Sequence, residues 1–147
     1  MLRATAVVVL GTVLAAPIAA AQSRWEDQVN DQIKRASRIL EEKGYSRTHD
    51  PYTGSLREGE NEFLTLTLHA GTSYALLGVC DNDCSDIDFR LYDADDDEVD
   101  SDTQTDDVPI VKVTPSETMR YKLKVIMVAC KTSPCFYGVG VFGKDGN

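Results

Sequence analysis

The sequence has few of the residues from which hydrolytic active sites are usually built. It contains only two histidines, His49 and His69, and no serine lies in a Gly-x-Ser-x-Gly motif. A hydrolytic site needs a nucleophile, a base and an orienting group in one place, and histidine is the usual base. Because His49 falls in a predicted linker and His69 ends a predicted strand, we expect a protein that is not an enzyme. An orphan hydrolase acting through His69 is the less favoured alternative.

Positive charge is also scarce. Fifteen Lys and Arg residues stand against 24 Asp and Glu residues in a chain of 147, and the formal net charge is -9. A strongly negative chain repels phosphate backbones, which argues against a nucleic-acid partner and favours cations or basic surfaces. The length fits one ordinary domain.

No apolar run in the sequence is long enough to span a bilayer. The run 4–16 follows Arg3, ends at Pro17 and precedes Ala19-Ala20-Ala21. A short apolar run before an A-x-A pattern is typical of a secretory signal peptide, whereas an uncleaved anchor needs a longer apolar segment. We therefore predict a signal peptide over residues 1–21, a periplasmic or secreted location, and no membrane association after cleavage.

Cysteine is absent from the first half of the chain. The four cysteines, Cys80, Cys84, Cys130 and Cys135, are even in number. In an exported protein this indicates disulfides. The C-x3-C and C-x4-C spacings also suit zinc, but neither histidine is near a cysteine in sequence. Loop-closure entropy does not choose among the three pairings. We predict Cys80 with Cys84 and Cys130 with Cys135, because each local pair pins its own loop between strand ends.

An amphipathic helix is predicted over residues 24–43, within the segment 22–44, and Gly44 is expected to end it in the left-handed conformation. Its apolar residues recur at steps of three or four, as on one face of a helix: Trp25, Val29, Ile33, Ala36 and Leu40. A short amphipathic helix is stable in water mainly when its apolar face is buried, so we expect this face to pack against the domain that follows. Binding of a partner through the helix is the alternative.

After a predicted linker at 45–61, apolar residues occur at every second position instead of every third or fourth. Leu64, Leu66 and Leu68 alternate with threonines, which is typical of a half-buried strand. Further strands are predicted at 73–79, 88–92, 108–113, 119–129 and 136–142. Short strands with turns between them favour a mainly β fold over residues 62–147, an antiparallel β-sandwich of the jelly-roll or Greek-key type, preceded by the helix.

Carboxylates are concentrated between Asp81 and Asp107. This segment holds 13 of the 24 acidic residues and one basic residue, Arg90. Two like charges about 7 Å apart in water repel by about 0.6 kcal/mol, and a bound cation relieves that repulsion. Calcium prefers hard oxygen ligands and needs neither histidine nor cysteine. Solvated turn residues are the alternative, since aspartate favours turns. The predicted calcium ligands, which bracket Cys84, are Asp81, Asp83, Asp86 and Asp88.

The order and spacing of several short motifs resembles the bacterial pre-peptidase C-terminal domain. The motifs are Gly54-Ser-Leu56-x-x-Gly59, Phe63 with the leucine alternation, Ala70-Gly71-x-x-Tyr74, Asp86-x-Asp88-Phe89-x-Leu91-Tyr92-Asp93, Asp107-x-Pro109, Thr114-Pro115 and Tyr121-x-Leu-x-Val125. The resemblance covers residues 54–142. It implies a secreted β-sandwich that serves as an accessory module of extracellular peptidases and is similar to calcium-dependent collagen-binding modules. It also places Asp86 and Asp88 near the position at which related modules bind calcium.

Two features depart from the family's pattern: the two cysteine pairs, and a helix where family members carry a peptidase. The function expected from the sequence is a non-catalytic secreted binding or accessory module, with calcium as its candidate cofactor and a protein or polysaccharide as its ligand. A periplasmic interaction protein that works through its amphipathic helix, residues 24–43, is the second hypothesis.

Overall fold

The structure is a computed structural model that describes the backbone of residues 18–146 and the side chains of residues 24–146. In this range one helix precedes nine strands. The elements are α1 (Ile18–Glu42), β1 (Ser46–Arg47), β2 (Tyr52–Leu56), β3 (Asn61–Leu68), β4 (Thr72–Cys80), β5 (Cys84–Tyr92), β6 (Glu98–Asp102), β7 (Ile110–Val113), β8 (Met119–Cys130) and β9 (Cys135–Asp145). Most of the predicted signal peptide, residues 1–17, lies outside the described residues, and α1 begins within its last part.

The strands form two antiparallel sheets. In sheet A, β1 and β2 both pair with β9, which pairs with β4, which pairs with β7. In sheet B the order is β3-β8-β5-β6. The prediction of a mainly β, antiparallel fold preceded by one helix is therefore confirmed.

One hydrophobic cluster draws its side chains from both sheets. Phe89, Leu123 and Val125 from sheet B are fully buried in it, as are Leu76 and Tyr137 from sheet A. In β8 the buried residues alternate with more exposed ones, as the period of two in the sequence indicates. Each fully buried side chain of this size contributes roughly 1.5–3 kcal/mol to folding, so this cluster is the main stabilising feature of the two sheets.

Helix α1 covers the second face of sheet A. Val29, Ile33 and Leu40 are buried in a separate cluster with Leu77, Val79 and Phe142, and the Trp25 ring stacks on Phe136 with 5.6 Å between centroids. Strands β4 and β9 consequently have almost no exposed residue along their middle. Across residues 18–146, no helix combines the length and apolar character that crossing a bilayer requires.

The close approach of α1 to β9 depends on glycine. A Cβ atom at Gly138 would lie 2.8 Å from Cδ1 of Ile33 and would also overlap Val29. At Gly140 the nearest atom to an added Cβ would be in the Phe142 ring, at 2.7 Å. Helix side chains therefore occupy the space that a side chain at position 138 would fill, whereas the Phe142 ring occupies the space at position 140.

The helix ends at Glu42, one residue before the predicted end at residue 43. Gly44 has φ 84°, its N–H donates to the Glu41 carbonyl at 2.9 Å, and the Tyr45 N–H donates to the Leu40 carbonyl at 3.0 Å. A left-handed glycine with these bonds is a common way for a helix to satisfy its last carbonyls.

The segment 45–61, predicted as a linker, contains two short strands. β1 and β2 pair along β9, with Ser46 opposite Gly143 and Tyr52 opposite Val139. Strand β6, at Glu98–Asp102, was not among the predicted strands either. These three strands are short and carry polar or glycine residues, so pairing, rather than local pattern, determines their conformation: β1 and β2 pair with the distant β9, and β6 pairs with the preceding strand β5.

We expect Gly138→Ala to destabilise the protein by about 1–3 kcal/mol, because the added methyl group overpacks the contact with Val29 and Ile33. The free energy of unfolding, measured by urea titration, checks this. In the double variant with Val29→Ala the loss should be smaller than the sum of the two single losses, because the second change makes room for the first. Ile39→Ala, at a helix position that is 57% exposed, is the control and should have little effect.

Candidate functional site

Both disulfides lie at the same end of the two sheets. Cys80 is bonded to Cys84 and Cys130 to Cys135, and Cys84 is the cross-strand partner of Cys130. Because β4 and β9 belong to sheet A whereas β5 and β8 belong to sheet B, each bridge ties one sheet to the other. These are the local pairs that the sequence predicts.

Asp81, the first predicted calcium ligand, is 2% exposed and binds main-chain N–H groups between the two disulfides. Its Oδ1 accepts hydrogen bonds from the N–H groups of Asp83 and Cys84 at 3.1 and 3.2 Å, and its Oδ2 accepts one from Phe136 at 2.8 Å. Burial raises the pKa of Asp81, although these three backbone donors oppose the rise. The carboxylate thus holds the β4–β5 loop against β9.

Asp86 and Asp88, the other pair of predicted ligands, lie in a different environment from Asp81 and Asp83. On β5 both are affected by the charge of Asp106, which follows later in the chain, and Asp88 is also affected by that of Asp102. The backbone draws these segments together, since the Ile87 N–H donates to the Asp106 carbonyl at 3.1 Å. We call Asp86, Asp88, Asp102 and Asp106 the acidic cluster.

Burial and mutual repulsion raise the pKa values of two carboxylates in the acidic cluster. Burial, with the charge of Asp106, raises the pKa of Asp86, although a main-chain hydrogen bond from Asp106 opposes the rise, and burial, with the charge of Asp86, raises the pKa of Asp88. Asp86 is 9% exposed, and its Oδ1 has no hydrogen-bond partner among the described residues. A buried carboxylate oxygen without a donor is costly, and a cation is one means of satisfying it.

Other carboxylates of the acidic segment hold the backbone. Asp93 accepts from the N–H groups of Asp95 and Asp97 at 2.9 and 3.0 Å, as turn-forming aspartates do. Asp100 and Asp102, on the edge strand of sheet B, accept from the N–H groups of Lys112 and Ile110 on the edge strand of sheet A, at 2.7 and 2.9 Å. Within the described part of the chain, no three His, Cys, Asp or Glu side chains are arranged to hold a metal ion.

A second candidate site is the solvent-facing side of sheet B. Lys124 is the cross-strand partner of both Phe63 and Arg90, and Lys122 is the partner of both Thr65 and Tyr92. These residues form two adjacent rows across the sheet. We call this surface, with the neighbouring Arg120, the open face.

Aromatic rings and cations are in direct contact on the open face. Phe63 is 53% exposed, its centroid is 6.2 Å from that of Tyr92, and Nζ of Lys124 lies 5.6 Å from its centroid. Arg90 pairs with Glu98 at 2.9 Å, and Lys122 pairs with Asp96. The sequence contained the signal for this surface, a period of two in β8 with lysines opposite the buried residues, but not the register that sets Phe63 and Tyr92 beside those lysines.

The structure brings together the two histidines that the sequence separates. His49 and His69 line one cleft of about 410 Å³ with Tyr74 and Asp145. The ring of His49 is held by Thr48 Oγ1 at 2.9 Å and by the Thr67 carbonyl at 3.2 Å. The His69 N–H donates to the Tyr74 hydroxyl at 3.1 Å.

Glu62 is a further polar group that sequence reasoning missed. Its carboxylate accepts hydrogen bonds from the hydroxyls of Tyr52, at 3.1 Å, and of the fully buried Tyr137. Burial, reinforced by this carboxylate, raises the pKa of Tyr137 well above its usual value, so the tyrosine stays a hydrogen-bond donor. The carboxylate of Glu62 in β3 therefore points inward and is held by hydrogen bonds from two tyrosines.

Asp86→Asn should stabilise the protein in a chelator, and more at about pH 7 than at about pH 4. The folded-state pKa of Asp86 lies above the ordinary value of 3.8, so ionisation disfavours the fold and the penalty grows as the pH rises through the raised pKa. Below pH 3.8 the Asp86 carboxyl is protonated in both the folded and the unfolded state, so the substitution loses its effect. Urea unfolding at both pH values measures this, with the exposed Asp107→Asn as the matched control. A gain in the free energy of unfolding that does not depend on pH, or an equal gain in Asp107→Asn, would contradict this prediction.

A scan against models of known protein families finds no match to this chain. A search of curated proteins finds no relative either.

Proposed function

We propose that the protein is a non-catalytic, exported binding module that recognises a protein or polysaccharide ligand through the open face. The observation that carries this proposal is the exposed Phe63 ring, which lies beside Tyr92 and under the Lys124 ammonium on one regular sheet surface, in a chain whose net charge is -9. Aromatic residues are enriched at the centres of recognition surfaces because they bury a large area, and a lysine over an aromatic ring adds a cation–π attraction.

The open face suits recognition for a second reason, which is its rigidity. Its side chains stand on β3, β8 and β5, whose opposite faces are anchored in the main core. Lys124 over Phe63 and Lys122 beside Asp96 already hold preferred positions. A ligand therefore meets groups that have lost part of their freedom before binding, which lowers the entropic cost of association.

The fold that accompanies this function is a β-sandwich of the jelly-roll or Greek-key type. Each connection from β2 to β9, except the β5–β6 hairpin, passes from one sheet to the other. Such crossings are typical of these topologies. The resemblance to the pre-peptidase C-terminal domain supports the same fold and an accessory role, and the predicted signal peptide with the two disulfides supports export to the periplasm or beyond.

We further propose that calcium stabilises this module at the acidic cluster. The unpartnered Oδ1 of Asp86 supports it, and Asp88 and Asp106 supply the neighbouring charge. Calcium takes six to eight oxygen ligands, including carbonyls and waters. Because the carboxylates are not preassembled around a cation, binding requires the exposed Asp106 to turn toward Asp86. In this proposal Asp81 keeps its hydrogen bonds to main-chain N–H groups, and Asp83 lies beside Asp81 rather than in the acidic cluster.

The helix is the less favoured recognition element. Val29, Ile33 and Leu40 are buried against sheet A, so a partner that binds this face has to displace sheet A from it. That displacement would expose the second face of β4 and β9, whereas the open face needs no rearrangement.

Calcium at about 10 mM should stabilise the oxidised protein by about 1.4 kcal/mol over chelator, given a dissociation constant of about 1 mM that is typical of extracellular modules. Thermal melting of the protein in chelator, in calcium and in the same concentration of magnesium measures this stabilisation. The gain should vanish in Asp86→Asn and persist in the control Asp107→Asn. Equal shifts with magnesium, or no shift, would overturn the calcium site.

Lys124→Ala should weaken ligand binding by about tenfold, because it removes a cation and its contact with the Phe63 ring. The probes are immobilised collagen and insoluble polysaccharides, including cellulose, chitin and peptidoglycan, and bound protein is measured at increasing concentration. Lys112→Ala, which removes an exposed lysine on β7, is the matched control. Binding that survives Lys124→Ala and Phe63→Ala but is lost on substituting helix residues would favour the helix instead. No binding to any probe counts against the proposal.

A further inference from the structure

Three of the four outer edges of the two sheets are short or blocked. β1 and β2 have two and five residues. β7 has four, and its N–H groups at Ile110 and Lys112 are taken by carboxylates of Asp102 and Asp100. β6 carries those carboxylates with Glu98. Short strands and charges at the edge are how natural proteins prevent strand pairing between molecules.

The remaining edge strand, β3, lacks this protection. It has eight residues, no proline or glycine, and an unbroken register with β8 from Asn61 to Leu68. The Met127 N–H donates to the Glu60 carbonyl at 3.0 Å, so the even-numbered residues of this segment direct their backbone groups toward β8. The odd-numbered residues therefore direct theirs toward the open side.

One side-chain contact on the open side agrees with this assignment. The Thr67 carbonyl accepts a hydrogen bond from the His49 ring, which belongs to the loop between β1 and β2. For Phe63 and Thr65 the structure shows no hydrogen-bond partner of the backbone on that side, within the described residues. The free edge is thus centred on Phe63 and Thr65.

The free edge is also uncharged. Its outward side chains, Asn61, Phe63, Thr65 and Thr67, are neutral in a chain with 24 acidic residues. The one charge within β3, Glu62, points inward to Tyr52 and Tyr137. Two copies of this acidic protein can therefore approach here without opposing carboxylates, whereas pairing along β6 would bring Glu98 and Asp100 of each copy together.

We propose that two copies of the chain pair antiparallel through β3, which joins their B sheets into one continuous eight-stranded sheet. Pairing Phe63 with Thr65 of the second copy satisfies the free backbone groups of both residues, and the two-fold axis repeats the contact. Aromatic and β-branched residues are favourable cross-strand neighbours. The contact covers part of the exposed Phe63 ring. Because each copy contributes the same β3 edge to the contact, no free β3 edge remains and assembly stops at the dimer.

Sedimentation velocity of the oxidised full chain at increasing concentration tests the pairing, and circular dichroism and thermal melting test folding of each variant. Thr65→Pro removes one outward N–H, and Thr65→Lys adds a charge at the edge; each should raise the dimer dissociation constant at least about tenfold. Thr65→Val, which keeps the N–H, should remain dimeric. If Thr65→Pro does not fold, the dimer dissociation constant of Thr65→Lys alone decides the test.

Two results would overturn the dimer. A wild-type chain that stays monomeric at about 100 µM shows that the edge does not pair with itself, and leaves an extended segment of another protein as the alternative occupant. A dimer unchanged in both Thr65→Pro and Thr65→Lys shows that association uses another surface. Neither result bears on the ligand binding proposed for Lys124, which is measured separately.

Discussion

Burial of sheet A on both faces is the constraint on which the rest of this structure depends. Sheet B covers one face and α1 covers the other, so β4 and β9 are apolar nearly throughout. The helix approaches closely because β9 has glycine at 138, where Val29 and Ile33 take the space of a side chain. The two disulfides then close one end of the layers, where neighbouring strands of different sheets meet. Helix, sheets and bridges thus form one packing unit.

The buried carboxylates divide according to whether both of their oxygens have hydrogen-bond donors. Both oxygens of Asp81 accept main-chain N–H groups, and the less buried Asp93, Asp100 and Asp102 also accept such groups, which replaces strand or turn bonds at loops and edges. Asp86 is buried with one oxygen unpartnered, next to further negative charge. High aspartate content is therefore largely structural here, and a cation is of physical use only where a buried carboxylate lacks donors.

Sheet B differs from sheet A in having one face against solvent. That face carries the cations and the exposed Phe63 ring, while the same strands anchor the core from the other side. The free edge of β3 adjoins this face. A dimer through β3 would place two open faces side by side on one sheet, so a long ligand could contact both and bind with higher avidity than either face alone provides.

The sequence by itself determined the features that depend on neighbouring residues. Apolar steps of three and four located α1, steps of two located β3 and β8, and cysteine spacing suggested the two bridges, because helical and strand periods are local properties of the chain. The tertiary structure alone decided which distant residues meet. It set Asp106 beside Asp86, Phe63 beside Lys124, His49 beside the end of β3, and the segment 45–61 along β9. Such contacts follow from strand register and sheet packing, which are fixed by cooperative burial over the whole domain.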